Sequence, residues 1–102
     1  MAADQPGEQL RISKNEQAGR YEMHLDGRRV GLADYYRDAD VVVVPHTETA
    51  PEVGGRGLAS KLVRFSLDDI RSQGLRVRPA CPFVAAFIQK NTEYADLLAD
   101  DA

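Results

Sequence analysis

The chain has 102 residues, enough for one domain with a small core, and 43% hydrophobic against 28% charged residues is a globular rather than a disordered balance. A formal net charge of −3 argues against a nucleic-acid binder, and a single cysteine, Cys81, excludes an internal disulfide. No apolar run approaches the roughly 18 residues of a membrane span, and residues 1–9 lack the basic and apolar blocks of a secretory leader, so they read as a mobile start to a cytoplasmic chain.

Leu10 and Ile12 alternate with Arg11 and Ser13, which suggests a short first strand. Tyr21, Met23 and Leu25 alternate with Arg20, Glu22, His24 and Asp26, the period of two of a half-buried strand. Asp26-Gly27 is a tight-hairpin signal because both residues tolerate positive φ, and the return strand is expected from Arg29 to Tyr36. Arg37 to Asp40 is polar and turn-like. Val41 to Val44 is an unbroken β-branched run, as in a central strand covered on both faces. Pro45 has no N–H for a ladder, so pairing is expected to falter or bulge there before the strand resumes through His46, Thr47 and Glu48.

Ala59, Leu62, Val63, Ser66 and Ile70 fall on one helical stripe, with Gly74 placed to end it, so a helix is predicted over 56–73. Arg64, Asp68 and Arg71 are expected to face away, with Asp68 and Asp69 on a solvated helix face. Leu75 and Val77 suggest a short strand, and Pro82 opens a second helix that should stop near Asn91. Tyr94, Leu97 and Leu98 are suited to docking the tail, and 99–102 should fray. The order strands, helix, strand, helix makes residues 10–98 an α+β domain with a mixed, mostly antiparallel sheet. A right-handed crossover would set the Val41 strand parallel to the Leu75 strand.

Gly54, Gly55 and Gly57 lie between the buried strand and the long helix. Glycines let backbone N–H groups approach an anion, and a helix N-terminus has unpaired N–H groups and a partial positive charge, so a phosphate or pyrophosphate suits the place. Arg56 can add a positive charge. The bland alternative is a turn that only lets the helix pack closely. A Walker-type site fails because Leu58 and Ala59 follow Gly57, and the dinucleotide fingerprint fails on glycine spacing.

Gly54-Gly55-Arg56-Gly57-Leu58-Ala59 resembles the acetyl-CoA signature of the GNAT N-acetyltransferases, Q/R-x-x-G-x-G/A. Gly57 and Ala59 match its last two defined positions, and Gly54 replaces the usual Gln or Arg. The hairpin, His46-Thr47, the helix start through Ser60, Pro79 to Val84, Phe87-Ile88 and Asn91 to Tyr94 also resemble the small Yjdj-type subfamily, with Thr92 where proline is common. The resemblance implies a minimal GNAT-like fold, with a long helix after the central strand, a second short helix, and none of the N-terminal helices that shape the acceptor site. It implies acetyl-CoA or coenzyme A bound along Val53, Gly54, Gly55, Arg56, Gly57, Leu58 and Ala59. Pantetheine would insert where the strands splay near Pro45 and bond backbone groups from about Val44, through His46, to Thr47. Asn91 would either cap its helix or contact the ligand.

Cys81 precedes Pro82 and so is expected at a helix N-terminus, where thiol pKa values fall. It would either take the acetyl group as a covalent intermediate or line the pocket as an inert small hydrophobe. His46 and Glu48, on one face of the strand, are candidate bases for an incoming ammonium. Tyr94 either protonates the departing thiolate, as a tyrosine often does in the superfamily, or packs. No His/Cys cluster has metal-ligand spacing. The expected function is acetyl transfer from acetyl-CoA to an unidentified acceptor, an amine by preference. The rival readings are a CoA-binding sensor or partner module without catalysis, and an interaction domain whose glycine turn holds nothing.

Overall fold

Alternating apolar residues and two tight turns build the antiparallel part of the sheet. The computed structural model describes residues 9–99. The expected mobile start and frayed end fall, but for Gln9 and Ala99, outside the described residues. Strands β1 (Leu10–Asn15), β2 (Arg20–Leu25), β3 (Arg28–Asp38) and β4 (Val41–Thr49) pair antiparallel in chain order. Asp26 (φ 53°) and Gly27 (φ 82°) form the β2–β3 turn, as their tolerance of positive φ requires. Ala39 (φ 57°) helps form the β3–β4 turn, so β3 runs two residues past the expected Tyr36.

β4 continues through Pro45 to Thr49. Its register with β3 slips between the pairs Asp34–His46 and Tyr36–Val43, leaving Val44 and Pro45 of β4 opposite the single residue Tyr35. This bulge accommodates the proline's missing donor. Helix α1 (Leu58–Ser72) then crosses to β5 (Arg76–Arg78), which pairs parallel with Val41–Val43. α1 starts two residues later than the pattern suggests because Gly57 has φ 76° and acts as its N-cap. Helix α2 is Pro82–Lys90, and short 3₁₀ turns occupy Pro51–Val53 and Thr92–Leu97.

Tyr21, Met23, Val42, Val44 and Val77 on one face of the sheet share a buried cluster with Leu58, Leu62, Leu67 and Ile70 of α1 and with Val84, Phe87 and Ile88 of α2. Burying each such side chain stabilises the fold by roughly 1.5–3 kcal/mol before entropy is counted. The alternate residues Glu22, Leu32, Asp34, His46 and Glu48 face the other side, as their cross-strand pairing requires.

The outward side of α1 is exposed at Arg64, Asp68 and Arg71, as its charges suggest, but Asp69 is half-buried and held by other segments. Tyr21 Oη donates to Asp69 at 2.8 Å, and Lys14 Nζ lies 2.9 Å from the same carboxylate. Burial raises the Tyr21 hydroxyl well above its ordinary value, and the Asp69 bond adds to this. Burial alone would raise Asp69, but the bonds from Lys14 and Tyr21 leave it below its ordinary value. Farther along, Arg71 holds Asp96 at 2.9 Å and Tyr94 Oη donates to Asp68 at 2.7 Å. These contacts clasp the Thr92–Leu97 turn against α1. Periodicity within one helix does not reveal such partners, because they come from distant segments.

Candidate functional site

The parallel ladder ends at Val43–Arg78 because the next β5 residue, Pro79, has no N–H to donate. The chain then turns, and Cys81 N–H donates to Val44 C=O at 3.0 Å. That carbonyl is therefore committed, and the β4–β5 ladder goes no further than Val43–Arg78. Val44 itself is buried in the core.

Beyond the end of the ladder, Thr47 Oγ1 lies 3.4 Å from Cys81 Sγ. Cys81 is the N-cap of α2, and its side chain is nearly buried. Burial pushes the thiol up. The Thr47 hydroxyl and the backbone N–H groups of Val84, Phe83 and Thr47 outweigh it, so the pKa lies below the ordinary thiol value.

A cavity of about 280 Å³ opens beside Thr47, walled by Glu48, Thr49, Ala59, Leu62, Val63 and Phe83. A second cavity of about 190 Å³ shares Thr49, Ala59 and Phe83 with it and reaches Val53, Gly54, Gly55, Gly57, Leu58 and Ser60. Together they form one groove from the strand gap to the mouth of α1. Gly55 (φ 81°) and Gly57 (φ 76°) have positive φ, and a Cβ at either would meet nothing within 4 Å. Gly54 differs: it is extended, and a Cβ there would approach Pro51 C=O at 3.3 Å.

The first turn of α1 has no acidic residue and no side-chain cap, and its first regular bond is Lys61 N–H to Gly57 C=O at 3.4 Å. The N–H groups of Leu58, Ala59 and Ser60 therefore face the groove end with the dipole's positive charge uncancelled. Val53 and Leu58 contribute backbone here while their side chains are buried in the core, and half-buried Arg56 sits on the same turn. This donor set fits a diphosphate, and the exposed Phe83 ring fits the apolar reach between it and the thiol.

His46 and Glu48 lie on the other side of β4. Their side chains meet at 2.7 Å, and both are exposed. The Glu48 bond, helped by the charges of Glu48, Asp34 and Cys81, holds His46 above its ordinary pKa. Tyr94 and Asn91 belong to another environment. Tyr94 is buried, donates to Asp68 and accepts from Arg64 at 3.2 Å. Asn91 Nδ2 donates to Phe87 C=O at 2.8 Å and so caps α2, while its oxygen accepts from Arg64 at 3.1 Å. Neither lines the groove. The sequence reading missed Phe83, Thr49 and Leu62 as walls. An apolar Phe83 directly after a helix-opening proline was the available signal.

This arrangement is a small α+β fold with a mostly antiparallel five-stranded sheet, and the comparisons make it specific. The profile of the GCN5-related N-acetyl-transferase family matches residues 20–97, and the chain belongs to that family. No curated protein matches the chain by sequence. Among solved structures it is similar to a GCN5-like protein of Staphylococcus aureus determined by NMR, with TM-score 0.69, 22% identity and 88% of each chain covered. It is also similar to the ribosomal-protein-S18-alanine N-acetyltransferase of Escherichia coli (TM-score 0.62, 14% identity, 76% of this chain and 54% of that one). A third similar structure is an aminoglycoside N-acetyltransferase in complex with CoA (TM-score 0.50, 18% identity, 79% of this chain and 59% of that one). The chain thus spans little more than half of the latter two. Among the described residues no group of His, Cys, Asp and Glu could hold a metal, and no helix is long and apolar enough to cross a membrane.

Proposed function

We propose that the protein transfers an acetyl group from acetyl-CoA to an amine by way of Cys81, and that it belongs to the small Yjdj-type branch of its family. The observation that carries this reading is the Cys81 thiol, held below its ordinary pKa and 3.4 Å from Thr47, where Thr47 walls a groove whose far end is the mouth of α1. In this reading the amides of Leu58 to Ser60 and the Gly55–Gly57 backbone hold the diphosphate. Pantetheine runs past Ala59 and Phe83, and Thr47 supplies the backbone group at the gap. The Cys81 thiolate attacks the thioester carbon, the C–S bond to CoA breaks, and CoA leaves as its thiolate. His46, held by Glu48, first receives one proton from the incoming ammonium; the amine then displaces the acetyl group from sulphur, and its second proton passes to the departing Cys81 sulphur. A reduced thiol and an acetyl-CoA supply both suit a cytoplasmic setting.

Intact-protein mass spectrometry after mixing with acetyl-CoA tests the route. The expected result is one acetyl adduct, lost in Cys81→Ala. Turnover that survives in Cys81→Ala, with no adduct on the wild type, would overturn the covalent step. A second reading is a CoA-binding module without transfer. It draws on Tyr94, whose proton is committed to Asp68, and on Gly54 in place of the usual Gln or Arg. Acetyl-CoA binding without an adduct and without turnover on any amine would support it.

A further inference from the structure

A third cavity, of about 220 Å³, lies at the ends of β3 and β4 and shares Glu48 and Thr49 with the groove. Its other walls include Arg29, Leu32, Ala50 and Pro51. The end of β4 is therefore a partition with the proposed carrier groove on one side and this cleft on the other. The cleft carries opposite charges on its walls, a carboxylate from Glu48 and a guanidinium from Arg29. Neither is used up by its neighbours. Glu48 accepts from His46 through one oxygen at 2.7 Å, which leaves the second oxygen to accept. Arg29 lies 3.8 Å from Glu22, beyond hydrogen-bond distance, and Glu22 is already held by Arg20 at 2.7 Å and Asn15 at 3.2 Å.

We infer that this cleft takes a free α-amino acid as the acetyl acceptor, an inference that rests on the transferase reading above. The substrate carboxylate would form a paired bond with the Arg29 guanidinium, whose planar fork matches it. The substrate ammonium would meet Glu48, one residue from Thr47 at the gap. Loss of its proton to the His46–Glu48 pair frees the nitrogen lone pair. The nitrogen then bonds to the acetyl carbon as the carbon–sulphur bond breaks, and its second proton passes to the departing sulphur, which regenerates the Cys81 thiol. The product amide is neutral at nitrogen, so Glu48 no longer attracts it and release is favoured. A polyamine fits less well, because Arg29 repels additional positive charge. A lysine on a protein surface brings no carboxylate for Arg29.

The test is a turnover assay with acetyl-CoA and each of the twenty amino acids beside the corresponding amino-acid amide, read as thiol release. At least one amino acid should show a kcat/KM about tenfold or more above its amide, carried mostly by KM. Arg29→Gln should bring that pair to within about twofold, and Arg29→Lys should restore part of the difference. Acetylation of Cys81 is measured on the same preparations without acceptor. If the adduct forms and no amino acid is preferred over its amide, or if Arg29→Gln slows acid and amide alike, the amino-acid assignment is wrong. If no adduct forms and no amine of any kind is acetylated, the transferase reading itself has failed.

Discussion

Replacing Gly57 by glutamate tests the proposed diphosphate cradle with a calculable effect. Gly57 has φ 76°, where an L residue costs about 1–2 kcal/mol. The new Cβ meets nothing within 4 Å, so no clash adds to that cost. A carboxylate at the N-cap of a helix whose first turn has no acid regains about 0.3–1 kcal/mol from the helix dipole. The fold should therefore survive with a net loss of about 1 kcal/mol. Binding should suffer more. The carboxylate would sit where a diphosphate belongs, and two unit charges about 4 Å apart repel by about 1 kcal/mol in water and about 4 kcal/mol near a protein surface. That is a weakening from about fivefold to several hundredfold. Calorimetric titration with CoA at low and high salt measures it, with Gly57→Ala carrying the backbone strain without the charge. The glutamate variant should bind far more weakly than the alanine variant, and the gap should narrow as salt screens it. Equal CoA affinity in the wild type and Gly57→Glu would refute the cradle.

The thiol can be probed without any acceptor: alkylation of Cys81 by iodoacetamide should rise with pH through an inflection below the usual thiol value of about 8.5, and Thr47→Val should move that inflection upward. Tyr21→Phe removes the hydroxyl bonded to Asp69 and should cost about 1.5–3 kcal/mol in urea unfolding. Asp69 has a depressed pKa in the folded protein, so its contribution is present above the unfolded carboxyl value of about 3.9 and is lost as pH falls through the lower folded value. Stability of the wild type should decline in that acid window more steeply than stability of Asp69→Asn. Ile70→Ala, at a position with 0% exposure, should cost about 2–5 kcal/mol without changing CoA affinity, because Ile70 lines no part of the groove.

Much of the fold was legible because local chemistry determined it. Asp26-Gly27 specified the first tight hairpin, four consecutive valines marked the central strand, and Leu62, Val63, Ser66 and Ile70 declared the buried side of α1. A misplaced boundary also has a local cause: Gly57 lies in the left-handed region, so the helix begins after it. Pro45 sits on the expected bulge, and β4 resumes through His46, Thr47 and Glu48 to end at Thr49. The site was legible in its backbone, where the glycines and prolines sit, and poorly legible in its walls. Phe83, Thr49 and Leu62 meet only through tertiary packing. Likewise Asp69, read as part of a solvated face, bonds to Tyr21, 48 residues away in sequence.

The groove is shaped by the backbone on either side of it, and that makes a prediction about motion. The gap follows from one covalent fact, the missing N–H of Pro79, together with the bulge at Val44–Pro45 and the hydrogen bond from Cys81 N–H to Val44 C=O. The helix mouth is equally fixed, since the positive φ of Gly57 places Leu58, Ala59 and Ser60 in the first turn, where no carbonyl within the helix can reach their N–H groups. These three amides should exchange with solvent quickly in the free protein, whereas Val42 and Val43, in the paired part of the sheet, should exchange slowly. Saturating CoA should slow the three mouth amides strongly and leave the ratio between Val42 and Val43 unaltered, because a ready-made site gains bonds without reordering the sheet. Hydrogen exchange followed by NMR resolves each amide. Mouth amides already protected in the free protein, or unchanged by CoA, would mean that they do not grip the diphosphate. Broad slowing across β4 and β5 would mean instead that the gap is made by binding.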